Sequence, residues 1–219
     1  MKKYIAVAGN IGVGKSTLVS MLSERLGWQP FYEPEVENPY LADFYQDMNA
    51  WAFHSQIFFL TRRLHSHRQL SLFPTSVVQD RSVYEDAEVF CHNLFRQGLI
   101  DKRDYATYQE LYQMIVEFLP PPDLVVYLRA STSTLMNRIK MRGRHYEKSI
   151  SIEYLKQLNE LYEAWITHFN LCPVLAVPAD DLDFVLHPGH LDLIVQKVQE
   201  KLTGKDEVIF HSEEVKNSF

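Results

Sequence analysis

Three glycines, a lysine and a serine lie close together near the start of the 219-residue sequence. They form the run GNIGVGKS at residues 9–16, between an apolar stretch and an amphipathic one. Glycines at these spacings let backbone N–H groups turn inward around an anion, and a helix that begins there adds its positive end. Lys15 can then reach the β- and γ-phosphates of a nucleotide, and Ser16 can ligate Mg²⁺. The run predicts a phosphate loop, here Gly9, Asn10, Ile11, Gly12, Val13, Gly14, Lys15, Ser16 and Thr17.

Acidic and basic residues follow two further apolar runs. Glu33 comes after the second run, and Asp80 and Arg81 come at the end of the third. Transfer of a phosphoryl group to a hydroxyl needs a proton acceptor, Mg²⁺ and positive charge around the migrating group. Glu33 is a candidate for the proton acceptor, Asp80 for holding Mg²⁺ through water beside Ser16, and Arg81 for stabilising the developing charge. On the residues alone, a helix cap or a surface ion pair explains Glu33 equally well.

A cluster of arginines lies later in the chain. Arg138 and Arg142 are four residues apart and share one helix face, and Arg144 follows after Gly143. Unpaired like charges at this spacing repel one another, so a bound anion would stabilise them. The cluster predicts a basic clamp for phosphate, and a solvated basic face is the alternative.

The pattern along the chain is that of an α/β protein. Five short β-rich runs alternate with helical patterns, and the fourth and fifth are almost continuously apolar, as in parallel strands covered on both faces. The predicted strands are 4–8, 28–32, 76–80, 124–128 and 173–177. The predicted helices are 17–26, 50–70, 82–97, 102–118, 132–142, 152–169 and 190–202. We expect one domain over residues 1–203 and a C-terminal tail over 204–219, either frayed or carrying an edge strand at 207–210.

Composition excludes several classes of protein. The formal net charge of −6 argues against a nucleic-acid polymer as partner. No apolar run approaches the ~20 residues that a membrane span requires, and no cleavable signal precedes the first strand. Cys91 and Cys172 are the two cysteines, too few and too far apart for a disulfide framework. We therefore expect a cytoplasmic protein without a membrane segment.

Taken together, the motifs resemble those of the deoxyribonucleoside kinases, particularly bacterial deoxyadenosine and deoxyguanosine kinases. The resemblance rests on the phosphate loop, the Glu-Pro after the second strand, the Asp-Arg-Ser after the third and the Arg-x-x-x-Arg-Gly-Arg segment, and it extends from Tyr4 to about Phe184. It implies a P-loop NTPase-type three-layer sandwich, with a five-stranded parallel sheet flanked by helices and an arginine-rich lid. It also implies a homodimer formed through a pair of helices.

By position, the resemblance assigns catalytic roles to three residues. Glu33 matches the general base, Arg81 matches the arginine of the acid-Arg-Ser motif, and Lys15 is the lysine of the phosphate loop. Asp80 stands where many members of the family have glutamate, so the carboxylate is kept. Metal binding would fall to Ser16 and Asp80.

The resemblance also assigns the substrate pocket. Tyr45 and Glu147 match the residues that hold the sugar 3′-hydroxyl, and Gln56 matches the glutamine that reads the base. Gln56 and Arg63 are seven residues apart, which places both on one helix face. The other residues expected to contact substrates are Arg63 and Asp86, a pair found in members that accept purines or deoxycytidine; Phe53, Phe59 and Phe90 as apolar surface; and Asp183 and Phe184 in the loop near the donor adenine.

These observations predict a kinase that moves the γ-phosphoryl group of ATP, with Mg²⁺, to the 5′-hydroxyl of a deoxynucleoside. Deoxyadenosine or deoxyguanosine is the favoured acceptor, and deoxycytidine stays open. A thymidylate kinase is one alternative, but it places an arginine immediately before the Glu-Pro, where this chain has Tyr32. A nucleotide-switched binding module of the GTPase kind is the other, and it predicts an Asn-Lys-x-Asp motif that the sequence lacks.

Overall fold

Five parallel strands form the sheet of this protein. The computed structural model describes residues 2–32, 38–205 and 208–218. The strands run in the order β2-β3-β1-β4-β5. This arrangement confirms the predicted parallel α/β sheet, and each predicted strand is present within one or two residues of its expected bounds. The strands are β1 (Tyr4–Gly9), β2 (Gln29–Phe31), β3 (Val77–Asp80), β4 (Leu124–Arg129) and β5 (Val174–Pro178).

The central strand carries the phosphate loop at its carboxyl end. β1 pairs with β3 on one side and with β4 on the other. All six of its residues are buried, because helices cover both faces of the sheet. The chain passes from β1 to β2 and β3 on one side of β1 and then crosses from β3 to β4 on the other side, so a crevice opens between the carboxyl ends of β1, β3 and β4. The fold therefore fixes where the ligands of the phosphate loop must lie.

Helices connect the strands, and most of them match the sequence prediction. The helix α1 begins directly at Lys15, and α7 and α8 begin after Ser131 and Ser151, whose hydroxyls accept hydrogen bonds from backbone N–H groups of the first turn. The long helices are α1 (Lys15–Leu26), α3 (Met48–Leu72), α6 (Lys102–Phe118), α7 (Thr132–Arg142), α8 (Ile152–His168) and α9 (Pro188–Leu202). Within the described residues, no helix has the length and apolarity needed to cross a membrane.

The predicted helix 82–97 is not regular. It consists of α4 (Val83–Glu85), a π-helical segment (Asp86–Cys91) and α5 (His92–Arg96). The capping box between Ser82 and Glu85 is present as predicted. A π-helical segment widens the turn by one residue and is frequent at functional sites. Here it contains Asp86, one of the residues expected to contact the base.

Three shorter elements were not predicted. They are α2 (Leu41–Gln46), a 3₁₀ helix (His145–Ser149) and α10 (Ser212–Asn217). The helix α10 packs against α9 through the buried Val215 and through an ion pair of 2.8 Å between Lys197 and Glu214. Residues 208–210, part of the expected edge strand, are not in a strand.

Candidate active site

A cavity of about 540 Å³ opens at the carboxyl ends of the strands. The phosphate loop and the start of α1 line one end of it. The other end is lined by polar side chains from α3 and from the segment after β3, with Leu41, Phe44 and Phe59 as apolar walls. A mainly apolar cavity with a few converging polar groups is typical of a small-molecule site.

The phosphate loop has the backbone that an anion site requires. Gly12 has φ +81°, and a Cβ atom there would lie 2.6 Å from Cγ1 of Ile139, so no other residue fits without a shift. The Lys15 ammonium group donates to the carbonyl oxygens of Gly9 at 2.9 Å and Asn10 at 3.1 Å. The Asn10 side chain in turn donates to the Leu155 carbonyl at 3.0 Å, which ties the loop to α8. The loop is thus held in shape by its own side chains.

The two residues expected to hold a metal are in contact. The Ser16 hydroxyl donates to Oδ2 of Asp80 at 2.5 Å, although the residues are 64 positions apart in the chain. The other carboxylate oxygen, Oδ1, is buried and has no hydrogen-bond partner among the described residues. Mg²⁺ prefers hydroxyl, carboxylate and water oxygens. The oxygen atoms of this pair therefore have the chemistry that Mg²⁺ prefers.

Arg81 reaches the cavity from an unusual backbone. Its φ of +64° lies in the left-handed region that side chains rarely adopt, and such strain is often found at functional sites. The guanidinium Nη1 donates to the Tyr162 hydroxyl at 2.8 Å and lies 3.6 Å from Oε1 of Glu85. The guanidinium also lies 4.4 Å from the centre of the Phe90 ring. Contacts with Tyr162, Glu85 and Phe90 therefore hold the Arg81 guanidinium in place.

Glu85 and Tyr162 were not predicted as part of this site. The Glu85 carboxylate is completely buried and accepts the N–H of Gly9 at 3.2 Å, the N–H of Ser82 at 3.0 Å and the Tyr162 hydroxyl at 2.8 Å. Burial raises the pKa of Glu85, and the charges of Arg81 and Lys15 oppose that rise. The position of Glu85 four residues after Arg81 in a helical pattern was a usable signal. Tyr162 gave none, because only the fold brings α8 to the loop.

The expected base-reading residues are brought together by α3 and the π-helical segment. Gln56 and Asp86 line the cavity and are almost fully buried. Arg63 lies behind them, where Nε donates to Oδ2 of Asp86 at 3.0 Å and Nη1 donates to the carbonyls of Asp80 and Arg81, each at 3.0 Å. Arg63 therefore supports both Asp86 and the strand end. Of the three phenylalanines, Phe59 and Phe90 line the cavity, and Phe53 packs against the core.

The arginine-rich segment is paired internally, in contrast to the expectation of unpaired like charges. Arg142 binds the buried Glu147 through two hydrogen bonds, one of them from Nε at 3.1 Å, and Arg144 lies 3.6 Å from the same carboxylate. Arg138 donates to the carbonyls of Val13 at 2.7 Å and Ala179 at 3.0 Å. All three arginines line the cavity, as do Glu147 and Tyr45. The Glu147 carboxylate therefore reduces the repulsion between the arginines of this segment.

The loop after β5 closes the other side of the phosphate loop. The Phe184 ring lies 3.5 Å from the position a Cβ of Gly14 would take. Asp183 accepts the N–H groups of Val185 and Leu186 at 3.1 and 3.0 Å and so shapes this loop. Both Asp183 and Phe184 line the cavity. Glu33, the expected base, belongs to residues 33–37, which lie outside the described residues.

Comparison with known proteins agrees with this geometry. A family model described as deoxynucleoside kinase matches residues 5–203. The deoxyadenosine/deoxycytidine kinase of Bacillus subtilis (strain 168) is 39% identical over 196 residues, which are 89% of this chain and 90% of that protein. The deoxyguanosine kinase of the same strain is 34% identical over 204 residues, 90% and 96% of the two chains. A solved structure of deoxyadenosine kinase from M. mycoides with bound dATP is 35% identical with a TM-score of 0.79, and the match covers 90% of this chain and 99% of that one.

Proposed function

The chain belongs to the deoxynucleoside kinase family, and we propose that it transfers the γ-phosphoryl group of ATP to the 5′-hydroxyl of a deoxynucleoside, preferably deoxyadenosine or deoxyguanosine. The observation that supports this most directly is the continuity of the cavity. The phosphate loop with Lys15 lines one end of the cavity. Gln56 and Asp86 line the other end, where most of the remaining wall is apolar. A triphosphate and a nucleoside can occupy these ends with their reacting groups adjacent.

The polar groups at the base end favour an acceptor that carries an amino group. Oε1 of Gln56 is buried and has no hydrogen-bond partner among the described residues, and Asp86 supplies a carboxylate nearby. The Gln56 amide oxygen and the Asp86 carboxylate both accept hydrogen bonds, and a buried acceptor without a donor costs free energy. The amino groups of adenine, guanine and cytosine can donate to them, and thymine has no such group. The B. subtilis relative named deoxyadenosine/deoxycytidine kinase agrees with this choice.

The proposed chemistry divides among side chains that take a proton, supply positive charge, hold the metal or bind the sugar. Glu33 takes the proton of the attacking hydroxyl, as the family resemblance implies. Lys15 and Arg81 supply positive charge to the group in transfer. Ser16 and Asp80 would hold Mg²⁺, which neutralises phosphate charge and orients the donor. Arg138, Arg142 and Arg144 complete the cationic surround, and Tyr45 and Glu147 bind the sugar 3′-hydroxyl.

Assembly and compartment are part of the same proposal. The family resemblance supports a homodimer, which sedimentation velocity at two protein concentrations would measure. Cys91 and Cys172 are free thiols, Cys91 buried and Cys172 partly so, and free thiols suit a reducing compartment such as the cytoplasm.

A panel of acceptors tests the proposed function. Purified protein is incubated with Mg²⁺ and ATP, and ADP release is measured with deoxyadenosine, deoxyguanosine, deoxycytidine, thymidine and thymidine monophosphate. We expect turnover with the first three nucleosides and the highest kcat/KM with a purine. Preferred phosphorylation of thymidine monophosphate would instead identify a thymidylate kinase. Tight GTP binding without turnover of any nucleoside would favour a nucleotide-switched binding module.

The substitution Glu33→Gln tests the proposed base. It keeps the size of the side chain and removes its ability to take a proton at neutral pH. We expect kcat to fall by roughly two to four orders of magnitude, the usual contribution of a positioned base, while the Kd for ATP changes little. Glu110→Gln on the exposed surface of α6 is the matched control. Turnover near that of the unaltered protein would remove Glu33 from the mechanism.

A further inference from the structure

One hydroxyl group behind the cavity contacts three parts of the site. Tyr162 on α8 is completely buried and is not among the residues that line the cavity. Its oxygen lies 2.8 Å from Nη1 of Arg81, 2.8 Å from Oε1 of Glu85 and 2.9 Å from the carbonyl oxygen of Gly9. These partners belong to the strand end after β3, to α4 and to the first residue of the phosphate loop. The hydroxyl therefore connects Arg81 with the phosphate loop, the two segments proposed to contact the phosphate groups.

The chemistry of the hydroxyl limits what it can do at this point. An arginine only donates, so the Tyr162 oxygen accepts from Arg81 and has a single proton left to give. That proton goes either to Glu85 or to the carbonyl of Gly9. The same carbonyl also accepts from Lys15 at 2.9 Å. When Lys15 turns towards a phosphate, this carbonyl loses a donor, and the proton of Tyr162 can replace it.

We propose that Tyr162, together with Glu85, is a positioning residue that holds the guanidinium of Arg81 in register with the phosphate loop. The inference deepens the proposed function and rests on the role of Arg81 in the transfer. Glu85 provides the counter-charge at 3.6 Å and fixes the loop through the N–H of Gly9. The Tyr162 hydroxyl connects Arg81 with Glu85 and with the Gly9 carbonyl. The two residues do not touch the substrates, and their effect on turnover passes through Arg81.

A purely structural role for Tyr162 must be separated from this one. Its ring stacks on Tyr127 with centroids 5.8 Å apart and contacts Phe90 and Trp165 edge-on. Tyr162→Phe keeps this packing and removes only the hydroxyl. Tyr127→Phe is the matched control, because it removes the neighbouring hydroxyl of the same stack, which bonds Glu163 and not the site.

The first measurement compares steady-state kinetics of the two variants. For Tyr162→Phe we expect kcat to fall about ten-fold or more, which corresponds to loss of a hydrogen bond to a charged group. The KM values for ATP and for the deoxynucleoside should stay within about three-fold, since no contact with either is removed. Tyr127→Phe should keep its kcat. An unchanged kcat in Tyr162→Phe would overturn the proposal.

The second measurement is a double-mutant cycle with Arg81→Lys. If Tyr162 acts through Arg81, the Tyr162→Phe change should lower kcat by less than about three-fold in the Arg81→Lys background. An undiminished ten-fold loss there would show a merely structural effect and contradict the proposal. The same cycle can be measured with Glu85→Gln in place of Tyr162→Phe. The proposal therefore stays testable if Tyr162→Phe folds poorly. Failure of the proposed function is distinguishable, because then the unaltered protein itself would phosphorylate no nucleoside.

Discussion

Each cationic side chain expected to handle phosphate has a partner inside the protein. Lys15 donates to carbonyls of its own loop, Arg81 faces Glu85, and both Arg142 and Arg144 face Glu147. Charged groups held by such contacts lose little freedom when a ligand arrives, and preorganisation of this kind is the main electrostatic contribution of enzymes. In the proposed function, binding of a triphosphate would exchange these internal partners for phosphate oxygens.

These residues could be recognised from the sequence, but the residues with which they pair could not. Lys15, Arg81 and the arginine cluster were recognisable from type and spacing. The pairing of Arg142 with Glu147 is local, five residues apart, and follows from the path of the 3₁₀ helix. The contact of Tyr162 with Gly9 joins positions 153 residues apart. No periodicity in the sequence records a contact of that kind.

A buried histidine on α3 gives a prediction about pH. His67 is 1% exposed, its Nε2 lies 3.1 Å from the Pro120 carbonyl, and burial lowers its pKa to about 4. The unfolded chain takes up this proton below pH about 6.5, while the folded protein resists until about pH 4. Stability is therefore lost as the pH falls through this window. Between pH 7 and pH 5 the free energy of unfolding should fall by about 2 kcal/mol because of His67 alone.

The measurement is urea denaturation at both pH values for three proteins. His67→Phe keeps a ring against Tyr4, whose centroid lies 5.5 Å away, and should show a pH effect smaller by that amount. His65→Gln changes an exposed histidine of the same helix and should behave like the unaltered protein. An equal pH effect in all three proteins would show that His67 is not held neutral by the fold.

At the scale of elements, the sequence predicted what depends on local pattern. The strand, loop and helix at residues 4–26 were predictable because apolar periodicity, glycines and a helix start follow one another directly. The π-helical segment was not, because one extra residue barely changes the apolar pattern of a helix. The short helices α2 and α10 were missed for a related reason. Six residues are too few to show a helical period, and tertiary contacts stabilise such helices.

The helix α10 offers a test of this dependence on tertiary contacts. Val215 is buried against the rest of the protein, and Lys216 beside it is exposed. Val215→Asp should cost about 1–2 kcal/mol by removing that burial and lower Tm by about 2–8 °C. Amide hydrogen exchange of residues 212–217 should accelerate in this variant while kcat stays unchanged. Lys216→Ala is the control, and equal exchange in both variants would contradict a docked helix.

At the scale of the whole molecule, strand order assembles the site. β1 lies between β3 and β4, so Ser16 after β1 and Asp80 at the end of β3 meet although they are 64 residues apart. This much could be predicted, since parallel strands bring their carboxyl ends to one edge of the sheet. The contribution of α8 could not be, because its placement depends on packing among helices.

One contact between residues that do not line the cavity restricts how this protein can be altered. A Cβ atom at Gly189, in the first turn of α9, would lie 2.1 Å from the Ser218 carbonyl oxygen. Any mutagenesis library over the outer surface of α9 should therefore hold position 189 constant. A side chain introduced there would push the terminal backbone away, and the resulting loss of Tm would be misread as a property of α9 itself.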